Sequence, residues 1–385
     1  MHPFSFSTVP QIISAIGAAE LLGQHVAERF PNVRRAMVVT DPGFLNTGLV
    51  AAPVASLEKA GIAVQVYADV VADPPEAVVL RALGFALEHA IDIVIGLGGG
   101  SSMDVAKLIA VLAGSGQALA QAYGIGNVKG ERLPLVQVPT TAGTGSEVTN
   151  IAIVTTGATT KMGVVAPQLY ADMAVLDASL TLGLPPMITA ATGIDAMVHA
   201  IEAYTSKHKK NPLSDVLARQ ALTLLSHNVL SACENGQNLA ARQAMLLGAC
   251  LAGQAFSNAP VAAVHALAYP IGGIFHVPHG LSNSLVLPHV LRFNLPAASG
   301  HYAELAAIVA PQAQGSVEAR ADGLIVAMQQ IAARTGIQTS LQQVGIARTD
   351  LDRLADDAML QTRLLGNNPR DVTRADAYAI YSAAF

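Results

Sequence analysis

The chain has two halves with different patterns of apolar residues, and this change constrains its fold more than any other feature. Up to about residue 184, short runs rich in β-branched residues alternate with stretches of helical periodicity. Such alternation is typical of a parallel sheet covered by helices on both faces. Beyond Pro185-Pro186, long stretches rich in Ala and Leu predict helices. We therefore predict an α/β domain over 1–184 and an all-helical domain over 185–385.

The first half contains the predicted strands, and the second half contains none that is convincing. The strands are predicted at Ala36–Thr40, Ile62–Tyr67, Ile91–Leu97, Leu133–Val138, Ile151–Thr155, Met162–Val165 and Met173–Asp177. The helices between them are predicted at Leu45–Ala60, Glu76–Ala90 and Met103–Ala113. The turn around Gly157 is rich in Gly and Thr, so the two strands beside it predict a hairpin.

Composition limits the class of protein. Charged residues make up 13% of the 385 residues and hydrophobic residues 52%. The charged share is about half of the usual one, which predicts much buried surface and a homodimer or larger homo-oligomer. The net charge is −5 and the basic residues are scattered, so nothing indicates a nucleic-acid partner. The first residues lack a basic segment followed by an apolar one, which predicts a cytoplasmic protein.

The stretch from Gln243 to Phe275 contains no Asp, Glu, Lys or Arg and is long enough to span a bilayer. It nevertheless carries Asn258, Pro260 and His265, and no basic cluster flanks it. We expect a buried helix that runs into a loop lining a site, and no membrane association. A transmembrane helix is the alternative.

Asp195 and His199 are four residues apart in a stretch of helical pattern, so both can point from one helix face to the same spot. His265 and His279 follow in a segment that contains Pro and Gly. One carboxylate oxygen and three neutral imidazole nitrogens suit Fe(II) or Zn(II). Alternatively, each histidine only caps a helix or is hydrogen-bonded in the core.

Two polar loops follow predicted strands. The first, GGGSSMD from Gly98 to Asp104, leads into a helix, so its backbone N–H groups and the helix dipole can bind a phosphate. The second, PTTAGTGSE from Pro139 to Glu147, lies where α/β sheets bind ligands. Neither loop contains the dinucleotide-binding pattern GxGxxG followed by an acidic residue. Neither contains the phosphate-binding sequence GKS or GKT. The alternative for the first loop is a plain tight turn before a helix. The alternative for the second loop is a Ser/Thr-rich segment that starts a helix.

Asp41 follows another predicted strand and begins Asp-Pro-Gly. A carboxylate there can accept hydrogen bonds from an adenosine ribose and repel a 2′-phosphate, which favours NAD over NADP. An ordinary turn is the alternative interpretation.

In this order, the motifs resemble the iron-dependent (group III) alcohol dehydrogenase family almost end to end. The matching segments are GGGSSMD, PTTAGTGSEVT, LPPMITAATGIDAMVHAIEAYTSK, NPLSD, the segment with two histidines, LPHVLRFN and NNPRDVTRADAYAIYSAAF. The resemblance implies a dehydroquinate synthase-like fold, in which an N-terminal Rossmann-like α/β domain and an all-α C-terminal domain hold cofactor and metal in a cleft between them.

The resemblance also implies roles for single residues. The metal ligands would be Asp195, His199, His265 and His279. The cofactor-binding residues would be Asp41, Gly98, Gly99, Gly100, Ser101, Asp104, Thr140, Thr141, Thr144, Ser146, Thr149 and Lys161. Within this set, the four residues from Gly98 to Ser101 would hold the pyrophosphate, and Lys161 would approach the ribose beside the nicotinamide. Asn150 and Phe256 would line the substrate pocket.

One position departs from the family pattern. Many members have a second histidine four residues after the third metal ligand, credited with relaying a proton; here this position is Tyr269. A phenol, with a reference pKa of about 10, is a poorer base near neutrality. His276 is the other candidate for the relay.

The resemblance implies NAD(H)-dependent interconversion of a small alcohol and its aldehyde or ketone. A divalent metal would polarise the substrate oxygen while hydride passes to or from the nicotinamide. A glycerol dehydrogenase or maleylacetate reductase of the same fold is the alternative enzyme, and a nucleotide-binding scaffold without turnover is the alternative of another class. The segment Gln243 to Phe275 has no charged residue, which favours neutral substrates.

Overall fold

The first half of the chain forms a parallel sheet. The computed structural model describes residues 3–157 and 160–385. The strands of this sheet are β1 (Ile12–Ser14), β2 (Arg35–Val39), β3 (Ala63–Tyr67), β4 (Ile93–Gly98), β6 (Leu135–Pro139) and β9 (Met173–Leu176). They lie in the order β1-β9-β6-β4-β2-β3 across the sheet. All neighbouring pairs are parallel. The central strand β4 is buried along its whole length, as expected of a strand covered on both faces.

The strand order reverses direction between β2 and β4. From β2 the chain goes to β3 at one side, and β4 then pairs with the other side of β2. In open α/β sheets, ligands bind outside the carboxyl ends of the strands at such a reversal. Asp41 follows β2 and the glycine loop follows β4, so the sheet brings both of these segments to this place.

A smaller sheet consists of β5 (Gly124–Ile125), β7 (Ile151–Thr156) and β8 (Thr160–Val165), in the order β5-β8-β7. β7 and β8 are antiparallel, which confirms the predicted pairing of these strands. Residues 158 and 159 of the connecting turn lie outside the described residues.

The helices of this half are α1 (Leu22–Arg29), α2 (Pro42–Leu45), α3 (Ala51–Lys59), α4 (Glu76–Glu88), α5 (Gly100–Ser115) and α6 (Leu119–Ala122). Short 3-10 helices lie at Ala18–Leu21, Ser146–Val148, Pro167–Leu169 and Ala178–Thr181. Apolar residues of α1, α3 and the sheet, among them Leu22, Val26, Leu57 and Ile95, form one buried cluster.

The structure corrects one prediction for this half and adds one strand that was not predicted. The single helix predicted at Leu45–Ala60 is wrong, because α2 ends at Leu45 and α3 begins at Ala51. Gly48 lies between them with a φ of 76°, a left-handed conformation that ends a helix. The edge strand β1 was not predicted, since a run of three residues has too few positions to show alternation.

The second half is helical. Its helices are α7 (Pro186–Thr205), α8 (Pro212–Glu234), α9 (Leu239–Asn258), α10 (Ala263–Phe275), α11 (His279–Val309), α12 (Val317–Thr335), α13 (Leu351–Ala358), α14 (Thr362–Leu365) and α15 (Arg374–Ala384), with 3-10 turns at Gln342–Val344 and Arg348–Asp350. Proline occupies the first turn of α7 and α8, where its missing N–H costs nothing. The side chain of Asn211 caps α8 by accepting a hydrogen bond from the N–H of Ser214.

Two compact units can be distinguished in the chain. One comprises Thr8–Gly183, and the other comprises Leu184–Phe385 together with Met1–Ser7. Among the described residues, no single helix has both the length and the apolar character to cross a membrane. The pair α9 and α10 meets the requirement of length and apolar composition only together, with a bend of 107° between the two helices.

Candidate active site

Three of the predicted metal ligands form a compact group in the helical unit. Single ligand atoms of Asp195, His265 and His279 all lie within 4.8 Å of one another. Nε2 of His265 and Nε2 of His279 are each 3.8 Å from Oδ1 of Asp195. Two atoms bound to one metal at about 2.1 Å can be up to about 4.2 Å apart, so these separations suit a shared ion.

His199 lies beside this group, on the same helix as Asp195. Its ring stacks on the ring of His265 with 4.7 Å between centroids, and on the ring of Phe256 with 4.4 Å. Asp195, His199 and His265 are all buried. The structure thus places His199 at the edge of the group of three rather than within it.

The chemistry of these residues fits a divalent metal. Nε2 of His265 is buried and has no hydrogen-bond partner within the described residues. A buried polar atom without a partner is costly, and a metal ion would use its lone pair. Burial alone would raise the pKa of Asp195, but His199, His279 and His265, together with the amide of Asn283, hold the pKa below its usual value. The carboxylate is therefore kept in the ionised form that a metal requires.

Glu202 orients His265, although the sequence analysis did not single it out. Its Oε2 accepts a hydrogen bond from Nδ1 of His265 at 2.7 Å, and its Oε1 accepts one from the N–H of Val264 at 2.7 Å. Because the carboxylate accepts both bonds, the proton of His265 is on Nδ1 and the lone pair is on Nε2. Glu202 follows Asp195 by seven residues on α7, and this helical spacing is the signal that identifies it.

Asn283 is a second residue that sequence reasoning missed. Its Nδ2 donates to Oδ1 of Asp195 at 2.6 Å and lies 3.2 Å from Nε2 of His279. Asn283 is one helical turn after His279 on α11, so this spacing again is the available signal. Gly280 lets this helix approach α7, since a Cβ atom there would lie 2.4 Å from the carbonyl oxygen of Ala191.

The two candidates for the proton relay have different surroundings. The ring of Tyr269, on α10, lies 5.9 Å from the ring of His279 between centroids. His276 is exposed and ends α10 in a left-handed conformation with a φ of 56°. Of these two candidates, Tyr269 is the one whose ring contacts a predicted metal ligand among the described residues.

In the α/β unit, the two polar loops lie side by side. A Cβ atom on Gly100 would lie 2.8 Å from Cγ2 of Thr144, and one on Gly99 would lie 3.7 Å from the side chain of Thr141. The helix α5 begins at Gly100, so its N-terminus and the Thr-rich loop form one cradle. Exposed N–H groups and the dipole of a helix of this length favour a bound phosphate.

Asp41 lies at the edge of this cradle. It caps α2 by accepting a hydrogen bond from the N–H of Phe44 at 2.9 Å. Its other oxygen is 3.5 Å from the hydroxyl of Ser102, in the first turn of α5. Asp41 thus caps a one-turn helix, and this position holds its carboxylate beside the glycine loop.

The predicted cofactor-binding residues differ in exposure. Gly99, Gly100, Ser101, Thr141 and Thr144 are partly exposed, whereas Thr140, Ser146 and Thr149 are buried. Asp104 accepts hydrogen bonds from the hydroxyl of Ser146 at 2.6 Å and from the N–H of Ile153 at 2.9 Å. Lys161 forms an ion pair with Asp73, and Asn150 is half-buried immediately before β7.

Comparisons with known proteins cover almost the whole chain. Residues 10–178 match the family of iron-containing alcohol dehydrogenases, and residues 189–385 match the C-terminal part of the Fe-containing alcohol dehydrogenase family. Long-chain-alcohol dehydrogenase 1 of Geobacillus thermodenitrificans is 42% identical over 92% of this chain and 92% of its own length.

Two further relatives match from end to end. The NAD-dependent methanol dehydrogenase of Bacillus methanolicus is 32% identical over 99% of both chains. A crystal structure of a 1,3-propanediol oxidoreductase superposes with a TM-score of 0.96 at 33% identity and covers 100% of both chains. The parallel sheet and the helical unit therefore have a solved counterpart.

Proposed function

Because this chain belongs to the iron-containing alcohol dehydrogenase family and is an oxidoreductase that acts on alcohols, we propose that it interconverts a small alcohol and its aldehyde or ketone with NAD(H) and a divalent metal. When bound, the metal supplies Lewis-acid polarisation of the substrate oxygen, and the nicotinamide exchanges a hydride with the carbinol carbon. The residues of this chain bind these groups, orient them and move the proton.

The observation that carries the proposal is the group of Asp195, His265 and His279, with the buried, unpartnered Nε2 of His265. These three residues and His199, which stacks on His265, would hold the metal. Fe(II) is the proposed ion, in agreement with the name of the family, and Zn(II) is the alternative because the same ligands bind it at least as tightly.

The cofactor would bind the α/β unit. The residues from Gly98 to Ser101 would hold the pyrophosphate at the start of α5, and Thr141 and Thr144 would offer partly exposed hydroxyls. The negative charge of Asp41 beside this loop supports NAD over NADP. The methanol dehydrogenase relative is likewise NAD-dependent by its name.

Tyr269 would relay the proton between the substrate oxygen and solvent. Its ring lies against that of His279, whose side chain is 34% exposed, whereas the metal ligands Asp195 and His265 are buried. A proton would therefore reach solvent past this pair of rings.

The substrate would be an uncharged alcohol or aldehyde. Phe256 stacks on His199, and the helices that carry Phe256 and His265 contain no charged residue between Gln243 and Phe275. An apolar wall beside a metal favours substrates with a hydrocarbon chain and leaves a carboxylate or sulfonate without a counter-ion. The similarity to a long-chain-alcohol dehydrogenase supports including longer chains among the substrates.

We also propose that the protein is a cytoplasmic homodimer or larger homo-oligomer. The support is the charged share of only 13%, about half of the usual one. Light scattering after gel filtration tests the assembly, and a mass of 39.6 kDa, that of one chain, would contradict it.

The proposed activity is tested by following NADH absorbance with neutral aldehydes of increasing chain length. Protein loaded anaerobically with Fe(II), protein loaded with Zn(II) and chelator-stripped protein are compared. We expect turnover only with metal. Turnover that is equally fast in the stripped protein would contradict the proposal.

The ligand assignment is tested by His265→Ala and His279→Ala. Both variants should lose metal and nearly all turnover while still binding NADH, because the cofactor loops belong to the other unit. His227→Ala, at an exposed position of α8, is the matched control. Full activity of either ligand variant without metal would show that the assignment is wrong.

A further inference from the structure

Lys107 is a fully buried lysine in the α/β unit, two helical turns after the start of α5. Its Nζ donates to the hydroxyl of Ser146 at 2.8 Å, to the hydroxyl of Thr149 at 3.1 Å and to the carbonyl oxygen of Ile151 at 2.8 Å. An ammonium group has three N–H donors, so all of them are used within the protein.

The charge of this lysine is balanced from its own helix. Oδ1 of Asp104, one turn earlier on α5, lies 3.5 Å from Nζ of Lys107. Burial lowers the pKa of Lys107, while the negative charges of Asp104 and Glu147 act in the opposite direction. Lysines are almost never fully buried unless they are paired, so this ammonium occupies a site built for it.

The hydrogen bonds around Lys107 form a closed network. The hydroxyl of Ser146 donates to Asp104, whose other oxygen accepts from the N–H of Ile153. The hydroxyl of Thr149 donates to the carbonyl oxygen of Ser146 at 3.3 Å. The network therefore joins the first two turns of α5 to the segment from Ser146 to Ile153.

That segment includes the end of the Thr-rich loop, and α5 begins within the glycine loop, at Gly100. The same two loops meet again where Gly100 approaches Thr144. Lys107 thus holds together, from a buried position, the two loops that also carry the partly exposed Ser101, Thr141 and Thr144.

The hydroxyls that bond to Lys107 are distinct from those of the partly exposed residues of the two loops. Those of Ser146 and Thr149 are buried and bonded to Lys107, whereas those of Ser101, Thr141 and Thr144 belong to partly exposed residues. A phosphate or ribose can reach the second set without breaking the network. The first set has a supporting role.

We propose that Lys107 is a positioning residue for the dinucleotide cofactor, which fixes the glycine loop and the Thr-rich loop in the arrangement that binds pyrophosphate. The proposal rests on the proposed use of NAD(H). Because Lys107 is fully buried, it would act on the cofactor site through Asp104, Ser146 and Thr149.

The first test replaces the ammonium group in the full-length, metal-loaded protein. Lys107→Met should weaken NADH binding, measured by nucleotide fluorescence, by about tenfold or more. The KM for NADH should rise while kcat at saturating NADH stays within about twofold. A merely destabilised protein would instead lose active molecules, so kcat would fall and KM would stay unchanged. Lys129→Met, at an exposed position of the same unit, is the control.

The second test keeps the charge and removes its acceptors. Ser146→Ala and Thr149→Val each leave Lys107 in place, so attraction between the ammonium group and the anionic cofactor is retained. Each should still weaken NADH binding several-fold if positioning is the cause. If NADH binding is unchanged in both Ser146→Ala and Thr149→Val, the proposal is overturned. This test holds even if Lys107→Met does not fold. Failure of the wild-type protein to bind NADH would instead refute the proposed function.

Discussion

The carboxylate of Glu202 accepts a hydrogen bond from Nδ1 of His265 and so directs Nε2 of that ring toward Asp195, 3.8 Å away. The same carboxylate accepts the N–H of Val264 at the start of α10. One side chain of α7 therefore sets the tautomer of a predicted metal ligand and the position of the helix that carries it. Carboxylate–histidine pairs of this kind orient ligands in many metal sites.

Removing this carboxylate should weaken metal binding. We expect Glu202→Ala to lower the affinity for Fe(II) or Zn(II) by about 10- to 100-fold, because the ring of His265 loses its fixed orientation. Glu202→Gln keeps one acceptor oxygen and should fall between this variant and the wild type. Competition with a chelator measures the affinity without reference to turnover. Glu234→Ala, at the exposed end of α8, is the control, and equal affinities in all four proteins would refute the role.

The approach of α11 to α7 depends on Gly280. Gly280→Ala should lower the free energy of unfolding by about 1–3 kcal/mol, because the new methyl group would overlap the carbonyl oxygen of Ala191. Gly300→Ala, on the same helix, meets no atom within 4 Å and should raise stability by up to about 1 kcal/mol. Denaturant unfolding measures both. A cost at Gly300 equal to that at Gly280 would contradict this account.

The charge of Asp41 should decide between the two nicotinamide cofactors. Asp41→Asn keeps a side chain that can cap α2 and removes the negative charge beside the glycine loop. We therefore expect the preference for NAD over NADP, measured as the ratio of kcat/KM, to fall without loss of stability. Asp41→Gly should relax the preference as well. If the ratio of kcat/KM for NAD to that for NADP is unchanged in both variants, Asp41 does not determine the choice of cofactor.

Tyr269 should affect proton transfer and leave metal binding intact. Tyr269→Phe removes only the hydroxyl, so the ring contact with His279 remains. We expect slower turnover and a changed dependence of kcat on pH, with the same metal affinity as the wild type. His276→Ala, at the exposed end of α10, should leave the profile unaltered. If the pH dependence of kcat is that of the wild type in Tyr269→Phe but changed in His276→Ala, then His276 and not Tyr269 relays the proton.

Much of the fold is predictable from local patterns. The central strands of the sheet appear as apolar runs between glycine-rich turns, and the predicted strand at Ile91–Leu97 differs from β4 by two residues at its start and one at its end. The helix predicted across Leu45–Ala60 failed because apolar periodicity continues through Gly48, where the backbone is left-handed. The short strand β1 forms only because β9 offers it an edge.

The sequence by itself determined the alternation of strands and helices, the change to helices near residue 184 and the residue types that suit a metal and a phosphate. These follow from periodicity and from side-chain chemistry, which are local properties. Tertiary structure alone decided which side chains meet. Glu202 reaches His265 across 63 positions, and Lys107 reaches Ser146 across 39. Such contacts depend on how whole helices pack, whereas the spacing of Glu202 from Asp195 indicates only that both lie on one face of α7.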